Sequence, residues 1–154
     1  MVVYTLRREF KVAKYKNEKA NIDGYSFDSK VEAKYYEKLK VDKAKGTILN
    51  FELQPQYVLM PKFTNSFGKK IQSIIYKADF VIYELDNTQT VIDIKGFATP
   101  ESLMKKKMYQ HIYSDQLVWL SWYGGEWIDY DVLIKGRRER KKEKAKLLSL
   151  QENL

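Results

Sequence analysis

YKADFVIYELDNTQTVIDIKGF, residues 76–97, decides the fold because it predicts the central strand pair of the chain. Two apolar runs, Phe80–Tyr83 and Val91–Ile94, flank a polar turn, which is the pattern of a β-hairpin. Three charged residues, Asp79, Asp93 and Lys95, stand within or beside these runs, where a buried strand would have apolar side chains. The hairpin therefore predicts both a core and a candidate functional site.

The composition indicates a soluble protein of one domain. A chain of 154 residues with 44% hydrophobic residues is long enough to bury a core. It has no cysteine, which excludes disulfides and thiolate chemistry, and its one histidine, His111, excludes a histidine-rich zinc site. No apolar run has the roughly 20 residues of a membrane helix, and residues 1–17 lack the pattern of a signal peptide. We therefore expect a cytoplasmic protein without a membrane partner.

The charge of the chain indicates a polyanionic partner. The net charge is +8, and residues 135–154 hold eight Lys or Arg residues against three Glu residues. Nucleic acids bind such surfaces through the release of counterions. A charged terminal helix can also be no more than a solvated surface. The sequence favours nucleic acid over that alternative.

The pattern of apolar residues and turn signals predicts a mixed α/β or α+β fold, with helices packed on a mixed sheet. We predict one domain over residues 1–134, followed by a basic helix or tail over residues 135–154. Within residues 1–134 the predicted order is an edge strand or loose segment, a helix, three strands, a helix and one or two strands. The predicted elements are a helix over 29–46, a strand over 48–60 that Pro55 interrupts, a loop over 61–70, a long strand over 71–85, a strand over 90–96, a helix over 99–114, and strands over 117–123 and 126–134.

The spacing of Asp93 and Lys95 suggests a metal site. Residues two apart on a strand point to the same face, so these two side chains should lie together. If the two strands pair antiparallel, Asp79 lies near Asp93, and two adjacent carboxylates repel unless a cation lies between them. Mg²⁺ or Mn²⁺ would supply that cation and hold a phosphate oxygen, with Lys95 beside it to orient or deprotonate a water. The alternative is that these are ordinary exposed strand charges.

Glu32 is open to two interpretations. Ser29 and Glu32 form the S-x-x-E pattern of a helix capping box, which by itself explains both residues. Glu32 also adjoins the apolar stripe of the first predicted helix, and from there it would face the sheet as a third acid.

The order of these residues resembles the PD-(D/E)XK nuclease superfamily, with a layout similar to its Holliday-junction resolvases and transposon end-cleaving nucleases. More narrowly, the chain resembles a small family of phage and prophage proteins in four blocks, FDSKVEAKYY, FELQPQYVL, IYKADFVIY and VIDIKGFATPESLMKKKMY. The resemblance runs from about residue 27 to about residue 109. Ala78 stands where a proline is frequent in the superfamily, a departure that removes no functional group.

The resemblance implies a restriction-endonuclease-like fold, a central mixed sheet flanked by helices. It implies that Asp79 and Asp93 bind Mg²⁺ or Mn²⁺ together with the backbone carbonyl of Ile94, that Lys95 is the catalytic lysine and that Glu32 completes the acidic set. The implied function is a metal-dependent endonuclease of phage or prophage origin that hydrolyses branched or double-stranded DNA. The resemblance also implies a role in DNA recombination and makes a homodimer an expected assembly. The alternative is a DNA-binding protein on a nuclease-like fold that does not cut, and RNA is a third possible substrate.

Several basic and aromatic residues are candidates for contact with nucleic acid. We predict phosphate contacts from two groups of cations, Lys105, Lys106 and Lys107 after the hairpin and Arg137, Arg138, Arg140 and Lys141 in the tail. Three consecutive lysines cannot share one face of a helix, so at least one of the first group should reach a phosphate. The tryptophans and tyrosines of residues 119–130 suit the core better than base stacking. A structural role is the favoured interpretation for Gln54.

Overall fold

A computed structural model describes residues 18–152, except for the side chain of residue 152. The predicted loose segment or edge strand over residues 1–25 lies partly outside this range. The described residues form three helices and eleven strands, which in chain order are β1 (Ala20–Ile22), β2 (Tyr25–Phe27), α1 (Lys30–Lys45), β3 (Asn50–Leu53), β4 (Gln56–Met60), β5 (Phe63–Thr64), β6 (Lys70–Ile71), β7 (Ile74–Lys77), β8 (Phe80–Tyr83), β9 (Gln89–Ile94), α2 (Pro100–Ile112), β10 (Gln116–Tyr123), β11 (Glu126–Asp129) and α3 (Tyr130–Glu152).

A five-stranded sheet in the order β11-β10-β9-β8-β3 lies at the centre of the fold. Strands β9 and β10 are parallel and α2 connects them, whereas the other three neighbouring pairs are antiparallel. A parallel pair needs a crossover connection of this kind. The predicted mixed α/β fold with a central mixed sheet is therefore confirmed.

Both faces of the central sheet are buried. Helix α1 covers one face, where Leu39 packs in the same cluster as Phe80 and Ile92. On the opposite face Val91 and Trp119 pack in a second cluster with aromatic residues of α2 and α3. Burial on two sides explains why β8 and β9 are nearly continuous apolar runs instead of alternating ones.

The predicted start and end of α1 and the predicted start of α2 are confirmed. The Ser29 side chain accepts a hydrogen bond from the backbone N–H of Glu32 at the start of α1, at 3.1 Å. Gly46 ends α1 in the left-handed conformation, with φ of 72°, which glycine adopts without steric cost. Thr99 caps α2 and Pro100 occupies its first turn.

The prediction of one long strand over residues 71–85 is wrong. It is divided at Ala78 and Asp79 into β7, which pairs with β4 in a separate two-stranded sheet, and β8, which belongs to the central sheet. The backbone N–H of Ala78 donates to Pro55 and that of Asp79 donates to Ile92, so consecutive residues bond to different partner strands. The change of sheet therefore occurs at one of the candidate site residues.

Two further predictions need correction. The predicted loop over 61–70 contains a short hairpin of β5 and β6, whose turn Asn65 stabilises by accepting backbone hydrogen bonds from Phe67 and Lys69. The strand predicted over 126–134 ends at residue 129, because the Asp129 side chain accepts backbone hydrogen bonds from residues 131 and 132 and so caps α3.

Helix α3 begins in the core and ends in solvent. Tyr130 and Leu133 are buried, whereas residues 137–151 are all exposed. The predicted boundary between residues 134 and 135 falls inside this continuous helix. None of the helices in residues 18–152 is both long enough and apolar enough to span a membrane.

Candidate functional site

The two aspartates of the strand pair meet at one end of the central sheet. Phe80 of β8 lies opposite Ile92 of β9, and the next step of this antiparallel register sets Asp79 opposite Asp93. The backbone N–H of Asp79 donates to the Ile92 carbonyl at 3.1 Å. Asp79 Oδ2 in turn accepts from the Ile94 N–H at 2.7 Å. Backbone hydrogen bonds therefore hold the Asp79 carboxylate against the end of β9.

Lys95 lies beside Asp93, as the strand spacing predicts. Its Nζ atom is 2.9 Å from Asp93 Oδ2, and both side chains are largely buried. The same Nζ atom is 5.0 Å from the centre of the Trp119 ring, a cation–π contact that further limits its position. Asp79, Asp93 and Lys95 are therefore brought together.

Tyr76 and Trp119 hold Asp93 in place. The sequence interpretation did not assign either residue to the site. The Tyr76 hydroxyl donates to Asp93 Oδ2, and Trp119 Nε1 donates to the Tyr76 oxygen at 2.8 Å. Burial raises the pKa of the Tyr76 phenol far above its usual value, so it stays a protonated donor. Asp93 Oδ2 thus has two partners, Tyr76 and Lys95. Within residues 18–152, Oδ1 of Asp93 accepts no hydrogen bond.

The surroundings of Glu32 bear on both interpretations that the sequence left open. Its carboxylate accepts hydrogen bonds from Ser29 Oγ at 2.9 Å and from the Asp28 N–H at 3.1 Å. Glu32 therefore binds the backbone of the residue before the N-cap, whereas in a standard capping box it would bind the Ser29 N–H. Burial raises the pKa of Glu32, and the negative charge of Asp93 raises it further. Glu32 therefore stabilises the start of α1 and also lies within electrostatic reach of the paired aspartates.

The three acids lie close enough at this end of the sheet that their ionised forms repel one another. Burial raises the pKa of Asp79 to about 8, and the charges of Asp93 and Glu32 raise it as well. The Ile94 N–H and the Lys95 ammonium act in the opposite direction without cancelling the effect. A cation between the two aspartates would stabilise their ionised forms.

The oxygen atoms at the site fit a hydrated divalent ion. In the described part of the chain, no group of three His, Cys, Asp or Glu side chains could hold a metal by itself. Mg²⁺, however, is usually held by one or two carboxylates with waters and substrate phosphates. The Ile94 N–H donates to Asp79. Ile94 is the last residue of β9, so its carbonyl group lies at the same end of the sheet. Asp79, Asp93 and the Ile94 carbonyl would form such a partial ligand set.

A cavity of about 420 Å³ gives access to Asp79 and Glu32. Gln54 and Tyr25 also line it. The Gln54 N–H donates to the Asp79 carbonyl at 2.8 Å, and Gln54 has a φ of 53°, uncommon for a residue other than glycine. Gln54 therefore adjoins the site through its backbone, where the chain passes from β3 to β4.

The surroundings of Lys106 do not favour its predicted phosphate contact. Lys106 is only 9% exposed. Its Nζ atom lies 2.5 Å from Asp131 and 4.3 Å from the centre of the Trp119 ring, so the ammonium already has two partners within the protein. Lys105 pairs with Glu101 at 2.8 Å, whereas Lys107 is exposed. The predicted phosphate-binding residues of α3 are all exposed, namely Arg137, Arg138, Arg140 and Lys141.

These features define a mixed α/β protein with an acidic pair and a lysine at one end of its central sheet. The chain belongs to the family described as "Protein of unknown function (DUF1064)", whose model matches residues 12–123, more than half of the chain. The matched range contains Glu32, Asp79, Asp93 and Lys95, and it ends before α3. No curated protein and no solved structure matches the chain.

Proposed function

We propose that this chain is a metal-dependent endonuclease that hydrolyses DNA phosphodiester bonds, as its resemblance to the PD-(D/E)XK nucleases implies. The observation that carries the proposal is the convergence of Asp79, Asp93 and Lys95 at the end of the β8–β9 pair. A divalent ion held there would polarise the phosphate and stabilise the charge of the transition state.

The side chains of the site have separate tasks in this proposal. Asp79 and Asp93 would hold the ion together with the Ile94 carbonyl, and Tyr76 fixes the orientation of Asp93 by its hydrogen bond. Lys95 is close enough to Asp93 to face the same phosphate, where it orients the attacking water and stabilises negative charge on the phosphoryl oxygens. Glu32 lies on the wall of the access cavity and would accept a hydrogen bond from a water in the coordination shell.

The reaction needs only water as a co-reactant. The oxygen of the water forms a bond to phosphorus, and the bond from phosphorus to the leaving sugar oxygen breaks. The attacking water loses a proton and the leaving oxygen gains one, so no oxidant or reductant is required.

The charge of the chain supports DNA as the substrate. The net charge of +8 and the exposed cations of α3 favour a polyanion. Branched DNA, a homodimer, an origin in a phage or prophage and a place in DNA recombination stay predictions from the resemblance. A symmetric branched substrate needs two cuts, which is the reason to expect two copies.

A second function is a DNA-binding protein that does not cut. Two observations favour it, the lack of a three-residue metal cluster among the described side chains and the ion pair that already neutralises part of Asp93. Under this function, removal of Asp93 would leave DNA affinity unchanged or raise it, because a negative charge near the phosphates would be lost.

The two functions are separated by incubation of the protein with supercoiled plasmid and with a four-way junction, in Mg²⁺ or Mn²⁺ and in EDTA. We expect cutting that requires metal and that Asp93→Asn and Lys95→Ala each reduce by at least about a hundredfold. Glu37→Gln, which changes an exposed acid on α1, is the matched control and should cut like wild type. Equal residual cutting by wild type and both site variants would refute the proposed catalysis.

A further inference from the structure

The segment that follows Lys95 is held firmly at both ends. The Lys95 N–H donates to the Leu120 carbonyl at 2.7 Å, and the Lys95 carbonyl accepts from Ser121 Oγ. At the other end, the Ala98 N–H donates to the Tyr130 hydroxyl at 2.9 Å, and α2 begins directly after Thr99. The backbone between the candidate catalytic lysine and α2 is therefore anchored to both β10 and α3.

This anchored segment exposes a large aromatic side chain. Phe97, two residues after Lys95, is 76% exposed. It lines a cavity of about 600 Å³ that has apolar walls from Leu103 of α2 and Ile134 of α3. Leaving a phenylalanine in water forgoes the favourable free energy of burying its ring. An exposed ring on a fixed backbone beside a candidate active site is suited to contact a ligand.

The opposite wall of the same cavity is cationic. Lys135, Arg137 and Arg138 line it from the first turns of α3. The Arg137 guanidinium lies 5.3 Å from the centre of the Tyr123 ring, which limits its motion. Asp131 also lines the cavity, but it is paired with Lys106. The cavity thus combines an apolar, aromatic wall with three cations.

We propose that this cavity binds an unpaired nucleotide of the DNA, with its base stacked on Phe97 and its flanking phosphates on Arg137 and Arg138. An aromatic ring next to cations is the arrangement by which proteins bind single-stranded nucleic acid. In a continuous duplex the bases are stacked on one another, so their faces are not available to Phe97. The inference rests on the proposed function for its ligand, and it extends that function by assigning the substrate class: DNA with unpaired nucleotides beside the cut.

Binding in EDTA tests this inference without cutting. Fluorescence anisotropy would compare wild type and Phe97→Ala on three labelled DNAs: a duplex, the same duplex with a single-stranded fork, and that fork with abasic spacers in its unpaired arms. Base–aromatic stacking is usually worth a factor of about five or more per base. We expect Phe97→Ala to weaken fork binding by at least that factor and to leave duplex binding within about twofold.

The abasic fork makes the test specific for stacking. It keeps the phosphates but has no bases in the arms, so wild type should bind it less tightly and Phe97→Ala should bind both forks alike. Phe97→Trp should retain fork binding. The control is Phe67→Ala, which removes a 93% exposed phenylalanine that does not line this cavity, and it should behave like wild type. Arg137→Ala with Arg138→Ala should weaken binding to all three DNAs, because phosphate contacts do not depend on bases.

Three results would overturn the inference: no effect of Phe97→Ala on any DNA, an equal loss on all three, or a loss on the fork that persists when the bases are removed. These outcomes are distinct from failure of the proposed function. A protein that shows the expected Phe97 dependence but never cuts DNA is a binding protein with a nucleotide pocket. A protein that cuts DNA without any Phe97 dependence is a nuclease without one.

Discussion

Replacement of Asp79 by asparagine should make the metal-free protein more stable at pH 8 than wild type. The Asp79 pKa is raised from 3.8 to about 8 by burial and by two neighbouring carboxylates. Between these values the folded protein holds a proton that the unfolded chain has released. Stability from this group is therefore fully present below about pH 4 and is lost as the pH rises toward about 8.

The size of the effect follows from the same pKa values. At about 1.4 kcal/mol for each tenfold change in proton affinity, the difference between 3.8 and about 8 sets an upper limit of about 6 kcal/mol. Asp79 is only partly buried, and relaxation around the ionised group reduces this value, so we expect about 1–3 kcal/mol. The amide that Asp79→Asn introduces is neutral at every pH, and its oxygen can still accept the Ile94 N–H.

The assay is urea unfolding of wild type and Asp79→Asn in EDTA at several values of pH between about 5 and 8. The difference in unfolding free energy should grow in favour of the variant as the pH rises. Asp86→Asn is the control, and its effect on stability should have the opposite sign. Hydrogen bonds from Thr88 lower the pKa of Asp86, so loss of this carboxylate should destabilise the protein. A difference between wild type and Asp79→Asn that is constant with pH would refute the buried acidic cluster.

Three further substitutions test the surroundings of the site. Tyr76→Phe removes a buried hydrogen bond to Asp93, so we expect a loss of about 1–3 kcal/mol in urea unfolding and weaker Mn²⁺ binding by calorimetry; unchanged Mn²⁺ affinity would contradict a positioning role. Lys106→Met replaces a buried ammonium, and DNA affinity by anisotropy should stay within about twofold, whereas a large loss would restore Lys106 as a phosphate contact. Ser29→Ala removes the cap of α1 and should cost about 1 kcal/mol in urea unfolding, and an unchanged stability would count against this cap.

The sequence predicted the features of the site that depend on local periodicity. The same-face placement of Asp93 and Lys95 follows from the alternation of a strand, and the opposed position of Asp79 follows from the antiparallel pairing of a hairpin. The Ser29 cap and its contact with Glu32 were equally predictable from four residues. Each of these arrangements is fixed by residues that are near in sequence or joined by a tight turn.

The remaining parts of the site depend on contacts between distant segments. Trp119 reaches Tyr76 because β10 is the parallel neighbour of β9, which no local pattern specifies. Tyr76 does stand three residues before Asp79, and a tyrosine in the apolar run that leads to this acid was the available signal. Lys106 differs from its neighbouring lysines only because its face of α2 meets Asp131. The break at Ala78 was missed because apolar residues continue on both sides of it.

A crystal of the protein soaked with Mn²⁺ tests the central claim most directly, since the anomalous scattering of manganese locates the ion without reference to activity. We predict a single strong peak between the carboxylates of Asp79 and Asp93, within about 2.0–2.4 Å of the Ile94 carbonyl oxygen. The same soak of Asp79→Asn should reduce or remove that peak. No peak at this position at millimolar Mn²⁺, or equal peaks in wild type and Asp79→Asn, would contradict a metal site at the end of the β8–β9 pair.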